Sequence, residues 1–199
     1  MTHSTGRTVA ANLSISLDGR YHGAGGPGDF GAFLPYVATD TARDHMASMC
    51  AGATTAVLGR VNAEGFLGYW PSVAEDEGAD PRDRAYARWL VDTEKVVLSR
   101  TLTTAPWPRA RVVDAPAPDV VRELRGAGDG EILVNSSPSV IKALLAADLV
   151  DRLYLLVVPA IVGGGERLFD DGLPGSTWDL TSQRAGERGE VAVVYDRAR

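Results

Sequence analysis

Residues 132–169 read ILVNSSPSVIKALLAADLVDRLYLLVVPAIVGGGERLF, and the hydrophobic pattern of this stretch decides the fold class. The short apolar run Glu131–Val134 predicts a strand. Pro138–Ala147 predicts a helix, because its large apolar residues recur at helical spacing on one face. Leu153–Val158 is apolar without alternation, which is typical of a strand buried on both faces. Strand, helix and strand in succession favour an α/β fold.

The same alternation extends outward over most of the chain. Further strands and helices are predicted at Thr8–Leu17, Thr39–Ala51, Thr54–Leu58, Lys95–Leu98 and Pro118–Arg125. The acidic segment Ser72–Arg84 contains Pro and Gly and is predicted to be a surface excursion. Two strand-like runs flank Gly186–Gly189 and predict a terminal β-hairpin. Together these elements predict a mixed, mostly parallel sheet with an antiparallel edge.

The composition is that of a globular domain and limits the classes of partner. The 199 residues are 45% hydrophobic and 23% charged, which predicts one domain over residues 1–199. The net charge of −6 argues against nucleic acid as the main partner, because a phosphate backbone requires basic surface. The single cysteine, Cys50, excludes an internal disulfide, and the scattered His3, His22 and His45 do not predict a metal site.

The apolar runs of the chain are short. None approaches the roughly 18 residues that a membrane helix needs. The N-terminal segment Met1–Thr8 is polar and lacks the apolar core of a signal peptide. We therefore expect no membrane partner and a cytoplasmic location.

Three predicted strands end in short polar sequences, namely GRVN (59–62), SRT (99–101) and NSSP (135–138). Ligands of open α/β sheets bind at the carboxyl ends of strands, where a following helix offers unpaired N–H groups to an anion. Asn62 and Ser137 are predicted N-caps. Arg60 and Arg100 can donate charge-assisted hydrogen bonds to phosphate. The alternative is that these residues are ordinary helix caps and solvent-facing arginines, and the sequence leaves both interpretations open.

Four further motifs, together with residues 132–169, resemble a known family. They are SLDG (Ser16–Gly19), LGR (Leu58–Arg60), FLGYWP (Phe66–Pro71) and KVVLSRTL (Lys95–Leu102). In this order and spacing the motifs are similar to those of the dihydrofolate-reductase-like superfamily. Residues 132–169 look like the C-terminal reductase domain of bacterial bifunctional riboflavin-biosynthesis deaminase-reductases, in a stand-alone form. The resemblance covers residues 8–195.

The resemblance implies a fold, a cofactor and a reaction. The fold would be a three-layer α/β/α sandwich, and NADPH would donate a hydride to a C=N or imine carbon of a pterin, dihydrofolate or pyrimidine-ribityl substrate. Two other functions stay open: a ligand-binding descendant without catalysis, and a reductase that uses another reduced cofactor such as a deazaflavin. A homodimer is also expected, because the family often pairs through C-terminal strands and the apolar strand Leu153–Val158 would need cover at a sheet edge.

Carried over by position, the resemblance gives eleven residues a role in cofactor binding. Gly59, Arg60 and Asn62 would hold the cofactor phosphates. Ser99, Arg100 and Thr101 would flank the adenosine 2′-phosphate, so NADPH is expected to bind more tightly than NADH. Asn135, Ser136 and Ser137 would lie along the pyrophosphate and the nicotinamide, with Asp18 and Gly19 in the loop beside the nicotinamide.

The pair Asn135-Ser136 departs from the family, which usually has Gly-Gly or Gly-Ser at this point. Glycine allows the backbone to approach a cofactor closely. Asn135 is predicted to occupy the turn after its strand. Its side chain is therefore expected either to clash with the cofactor or to replace a backbone hydrogen bond.

Candidates for catalysis and substrate binding come from the first helix and from aromatic residues. Dihydrofolate reductases carry a carboxylate on the first helix, and by this resemblance Asp44 is the candidate proton donor. The alternative is a solvated acidic face near the helix N-terminus. Tyr36, Phe66 and Trp70 are candidates for stacking on a planar substrate ring, or else for the core.

Overall fold

An eight-stranded sheet runs through the middle of the protein. The computed structural model describes residues 6–199, so His3 and most of the polar segment Met1–Thr8 lie outside the described residues. The strands are β1 (Val9–Ser16), β2 (Ala53–Gly59), β3 (Glu94–Leu98), β4 (Ala110–Val113), β5 (Glu131–Asn135), β6 (Arg152–Val158), β7 (Trp178–Ala185) and β8 (Val191–Arg197). The helices are α1 (Asp40–Cys50), α2 (Arg60–Glu75), α3 (Pro81–Asp92), α4 (Ala117–Arg125) and α5 (Pro138–Ala146).

The sheet is parallel except at one edge. Its strand order is β4-β3-β2-β5-β1-β6-β8-β7. Strands β1 to β6 run parallel to one another, whereas β8 is antiparallel to β6 and β7 is antiparallel to β8. The predicted mixed, mostly parallel sheet with a terminal hairpin is thus confirmed. The register places Asn12 of β1 beside Asn135 of β5.

Helices cover both faces of the sheet and produce the predicted three layers. Val121 of α4 and Leu144 of α5 belong to the core on one face. Met49 of α1, Leu67 of α2 and Leu90 of α3 belong to the core on the other. Because side chains alternate along a strand, each parallel strand supplies residues to both cores.

Helix α2 extends into the segment that the sequence predicted to be a surface excursion. It continues through Pro71 to Glu75, so residues 72–75 are helical rather than part of a surface excursion. A proline removes one helical hydrogen bond, but buried Leu67 and Ala74 hold the helix against the protein on either side of it. At 16 residues α2 is the longest helix of residues 6–199. No helix in this part of the chain is long and apolar enough to cross a bilayer.

Strand β6 lies inside the sheet, not at its edge. It pairs with β1 on one side and with β8 on the other. The argument that Leu153–Val158 needs cover from a second copy is therefore wrong, because the terminal hairpin covers this strand within the same chain. The edge on this side of the sheet is β7, where seven of eight residues are exposed. The homodimer itself stays a prediction.

Candidate active site

A groove runs along the carboxyl ends of β2, β3 and β4. Its volume is about 710 Å³, within the range of roughly 300–1,000 Å³ that small-molecule sites occupy. It is lined by residues 59–62, 98–100 and 113–117 and by Ser137, Ser139, Val140 and Ala143. The structure thus brings together six of the predicted cofactor residues: Gly59, Arg60, Asn62, Ser99, Arg100 and Ser137.

Helices α2 and α5 both begin at this groove. Gly59 is the N-cap of α2, and Ser137 is the N-cap of α5 with Pro138 in its first turn. Ser137 occupies the predicted N-cap position, but its hydroxyl makes no capping hydrogen bond. The prediction for Asn62 is wrong, because Asn62 lies inside the first turn of α2. The first N–H groups of a helix have no partner within it and carry partial positive charge, so both helix starts favour an anion.

The hydroxyl of Ser137 is part of the frame of the groove. It accepts a hydrogen bond of 3.0 Å from the Gly59 N–H and donates one of 2.9 Å to the Asn135 carbonyl. Ser137 is itself buried. These contacts tie the ends of β2 and β5 together, so the side chain of Ser137 fixes the groove floor.

Two arginines and one carboxylate set the charge of the groove. Arg60 pairs with Glu64 at 2.9 Å on the exposed surface of α2. Arg100 is exposed after β3, and Asp114 is exposed after β4. Arg100 and Asp114 thus line the same end of the groove. An arginine there favours a phosphate, and a carboxylate opposes it.

Ser99 and Thr101 form the turn that presents Arg100. The Ser99 hydroxyl accepts hydrogen bonds from the N–H groups of Thr101 and Leu102, at 3.1 and 2.9 Å. Ser99 is buried and Thr101 is exposed. Ser99 therefore shapes the loop, and the Thr101 side chain is accessible at its surface.

Asn135 does not occupy the turn that the sequence predicted. It is the last residue of β5 and is fully buried. Its side-chain N–H donates to the Tyr86 hydroxyl of α3 at 2.7 Å. The expected clash between Asn135 and a cofactor is wrong, because the side chain is directed toward α3 and not into the groove.

Ser136 is the residue in the turn, with a φ of +45°. Its N–H donates to Oδ1 of Asn12 at 3.1 Å, and its Oγ accepts from Nδ2 of Asn12 at 3.0 Å. Its carbonyl accepts a hydrogen bond from Nδ2 of Asn62. Asn62 therefore holds the protein backbone at the groove rim.

Asp18 joins two loops near the end of β1. Its carboxylate accepts hydrogen bonds from the Val162 and Gly163 N–H groups, both at 3.0 Å, and from Arg20 at 2.9 Å. Hydrogen bonding, led by that from the Ser16 hydroxyl, lowers the pKa of Asp18 well below its usual range. Within the described chain the Asp18 carboxylate thus serves the loop connection, with Gly19 beside it at a φ of +74°.

Asp44 lies in an ion-pair cluster that joins α1 to α3 and β7. It accepts hydrogen bonds from Arg82 of α3 at 2.8 Å and from Arg184 of β7 at 2.5 Å. The hydrogen bond from Arg82 is the main reason that the pKa of Asp44 is lowered. A proton donor at neutral pH needs the opposite shift, so this geometry does not favour Asp44 in that role.

The aromatic candidates lie apart from the groove lining. Phe66 and Trp70 of α2 pack against the core under α1, α2 and α3. Trp70 meets Tyr86 edge to face at a ring-centre distance of 4.6 Å. Tyr36 is half-buried in the loop before α1, where its carbonyl accepts a hydrogen bond from Thr39 at 3.1 Å.

Asn12 and Tyr86 were missed by the sequence analysis. Asn12 contacts Ser136, which follows β5, and Tyr86 contacts Asn135, which ends it. The ring centres of His45 and Tyr154 are 5.6 Å apart, and burial lowers the pKa of His45 to about 4. An asparagine inside the apolar strand β1 was the one signal that could have indicated Asn12.

A second hollow, of about 590 Å³, lies at the amino ends of the strands around Arg7 and Arg125. Arg7 donates to the carbonyls of Gly130, Ala127 and Glu131. Its guanidinium therefore serves the protein backbone. The hollow provides no cradle for an anion comparable to that of the groove.

The RibD C-terminal domain family matches residues 7–191. The chain belongs to this family. No curated protein matches it.

Three solved structures share the fold. A putative riboflavin biosynthesis protein from Shewanella sp. PV-4 is 19% identical with a TM-score of 0.70, over 96% of this chain and 99% of that one. A Thermotoga maritima diaminohydroxyphosphoribosylaminopyrimidine deaminase/5-amino-6-(5-phosphoribosylamino)uracil reductase is 15% identical with a TM-score of 0.64, over 97% of this chain and 57% of that one. Dihydrofolate reductase from Enterococcus faecalis, complexed with NADP(H) and RAB-propyl, is 16% identical with a TM-score of 0.60, over 96% of this chain and 97% of that one. The suspected dihydrofolate-reductase-like fold is confirmed, and the chain is a member of a reductase-type family.

Proposed function

We propose that the protein is an NADPH-dependent reductase that acts as one domain over residues 1–199. One observation carries the proposal: a single groove combines the starts of α2 and α5 with Arg60 and Arg100. Helix starts and arginines are the groups that bind phosphates. The donors present therefore fit the phosphates of a nicotinamide nucleotide.

The groups that would bind the cofactor lie at two ends of the groove. Arg100 would hold the 2′-phosphate on the adenosine, and the first N–H groups of α2 would hold the pyrophosphate. The turn at Ser136 lies at the other end, beside β5 and β1. The bound cofactor would supply a hydride to an electron-poor C=N carbon there. The chain itself would contribute orientation and water exclusion.

The proton that accompanies the hydride would come from water. Hydrogen bonding from Arg82 lowers the pKa of Asp44, and burial lowers that of His45 to about 4. At neutral pH both groups are deprotonated and have no proton to donate. Water would deliver the proton to the substrate nitrogen while the hydride reaches the adjacent carbon.

The substrate would be a planar nitrogen heterocycle of the pterin, dihydrofolate or pyrimidine-ribityl type. The Thermotoga maritima protein that shares the fold is, by name, a deaminase and 5-amino-6-(5-phosphoribosylamino)uracil reductase. The Enterococcus faecalis protein is a dihydrofolate reductase. The test is loss of nicotinamide absorbance when the protein is mixed with NADPH and each substrate class. NADPH binding without turnover on any of them would support a ligand-binding descendant, and turnover only with a reduced deazaflavin would replace NADPH as the cofactor.

We also propose a homodimer, with β7 as the strand that faces the second copy. This strand is the exposed edge of the sheet, and Leu180 on it is 47% exposed. An open edge favours pairing with another strand. Light scattering at micromolar concentration should give twice the chain mass, and a monomer mass would contradict the proposal.

A further inference from the structure

Ser136 has a backbone conformation that L-amino acids rarely adopt. Its φ of +45° lies in the left-handed region, where glycine is the usual residue. Arg109 and Asp148 also have positive φ, but both are exposed. Ser136 is half-buried between β5 and α5, next to Ser137 of the groove lining. Something in the surrounding structure must hold it there.

Two asparagine side chains hold this residue. Asn12 binds both the N–H and the Oγ of Ser136, and Asn62 donates to its carbonyl. The three polar groups of Ser136 are thus satisfied by residues 124 and 74 positions away in the chain. We call Asn12, Asn62 and Ser136 the Ser136 clamp. It joins β1, α2 and the β5–α5 turn.

The clamp is at one end of the groove. In the sheet, β5 and β1 follow β2 on the side away from β3 and β4. Arg100 and Asp114 come after β3 and β4. Asn62 lines the groove, so any movement of the Ser136 turn alters the groove at the end opposite Arg100.

We propose that Asn12 and Asn62 are positioning residues, which hold the Ser136 turn in the shape that seats the reactive half of the nucleotide. This role rests on the proposed reductase function. It follows that a glycine at position 136 would make Asn62 dispensable for the shape of the turn, because glycine adopts a positive φ without support. Ser136→Gly keeps the carbonyl that accepts the hydrogen bond from Asn62.

The first experiment needs no nucleotide. Urea unfolding midpoints are compared for the wild type, Asn62→Ala, Ser136→Gly and the double variant. We expect Asn62→Ala to lower the midpoint by a similar amount in the wild-type and Ser136→Gly backgrounds, because glycine keeps the carbonyl that Asn62 binds. An unchanged midpoint in Asn62→Ala would show that Asn62 does not support the Ser136 turn, and would overturn the clamp.

The second experiment separates the two ends of the groove. NADPH and 2′,5′-ADP, which lacks the nicotinamide half, are titrated into the same four proteins. Asn62→Ala should weaken the binding of NADPH about tenfold and leave the affinity for 2′,5′-ADP almost unchanged. Adding Ser136→Gly should restore NADPH binding. Equal losses for both ligands would indicate a merely structural role and overturn the proposal. So would a failure of Ser136→Gly to rescue, since the Asn62 amide would then contact the nucleotide itself.

These results also separate the proposal from the function on which it rests. A folded wild type that binds neither NADPH nor 2′,5′-ADP overturns the reductase function and the positioning role together. Normal wild-type binding without rescue by Ser136→Gly overturns the positioning role alone. Asn12→Ala, tested alongside, should repeat the selective loss of NADPH.

Discussion

The side-chain amide of Asn135 donates a hydrogen bond of 2.7 Å to the hydroxyl of Tyr86, and this contact turns Asn135 away from the groove. Both residues are buried, with 0% and 3% of their surface exposed. Burial raises the pKa of Tyr86, so its hydroxyl keeps its proton. Asn135 therefore belongs to the contact between β5 and α3, and the next residue, Ser136, occupies the turn before α5.

Asn135→Gly should destabilise the protein without improving nucleotide binding. The variant leaves the buried Tyr86 hydroxyl without its partner and places glycine in a strand. Together these changes should lower the free energy of unfolding by about 2–3 kcal/mol. Urea unfolding measures the loss, and Tyr86→Phe serves as the matched control that removes the other partner. NADPH affinity that rises about tenfold at unchanged stability would show that Asn135 does obstruct the groove.

Arg100→Gln should weaken NADPH binding about tenfold while NADH binding stays the same. The expected loss is that of one exposed charge-assisted hydrogen bond to the 2′-phosphate, about 1.4 kcal/mol. Asp114→Asn should act in the opposite direction, because it removes a negative charge from the same end of the groove. Calorimetric titration with both nucleotides measures these changes. Arg122→Gln, an equal charge change on the exposed surface of α4, is the control. Equal losses of both nucleotides in Arg100→Gln would contradict this assignment.

Asp44→Asn should retain turnover within about twofold of the wild type. Asp44 is engaged by Arg82 and Arg184, and its lowered pKa leaves it without a proton at neutral pH. Exposed ion pairs contribute about 0–1 kcal/mol, so the loss of stability should be small. Steady-state kinetics on the substrate found active is the measurement, with Asp40→Asn as the neighbouring control. A fall in turnover of more than about a hundredfold, with normal NADPH affinity, would restore Asp44 as the proton donor.

Stability should fall as the pH is lowered from 6.5 to 4, and His45 should be the cause. Burial lowers the pKa of His45 from 6.5 to about 4. Between these values the unfolded chain binds a proton that the folded protein does not, which removes about 3 kcal/mol of stability over the window. His45→Phe keeps a ring against Tyr154 and should abolish this pH dependence in urea unfolding.

The carboxylates provide the control for the pH experiment. The pKa values of Asp18 and Asp80 are lowered by hydrogen bonds from Ser16 and Arg82 respectively. The stability that these two carboxylates contribute is lost only when the pH falls below 3.8, the pKa of an aspartate in the unfolded chain. This loss of stability below pH 3.8 should therefore persist in His45→Phe. The same slope between pH 6.5 and 4 in both proteins would show that His45 is not responsible.

Hydrophobic pattern was enough to predict most of the fold. The strand–helix–strand pattern of residues 131–158 and the final hairpin are both present as expected. The extension of α2 past Pro71 was not predictable, because it depends on contacts of Leu67 and Ala74 with distant residues. The position of β6 inside the sheet was missed for a similar reason, since strand order is set by tertiary pairing.

The groove was predictable only in part. The polar sequences that follow predicted strands were enough to identify five groove residues, because the carboxyl ends of parallel strands share one edge of the sheet. These residues are Gly59, Arg60, Ser99, Arg100 and Ser137. A shift of one residue in the end of β5 reversed the roles expected for Asn135 and Ser136, since successive side chains point to opposite faces. The partner Asn12 is 124 residues from Ser136, and no local pattern specifies such a contact.

Titration of the wild type with NADPH, followed by nicotinamide fluorescence, tests the central claim most directly. A matched variant, Ser139→Trp, places a bulky side chain at an exposed position of the groove lining and should abolish binding without loss of fold by circular dichroism. We predict saturable NADPH binding below millimolar concentration in the wild type and none in Ser139→Trp. A folded wild type that binds no NADPH at millimolar concentration, or a Ser139→Trp variant that binds it as well as the wild type, would contradict the assignment of this groove.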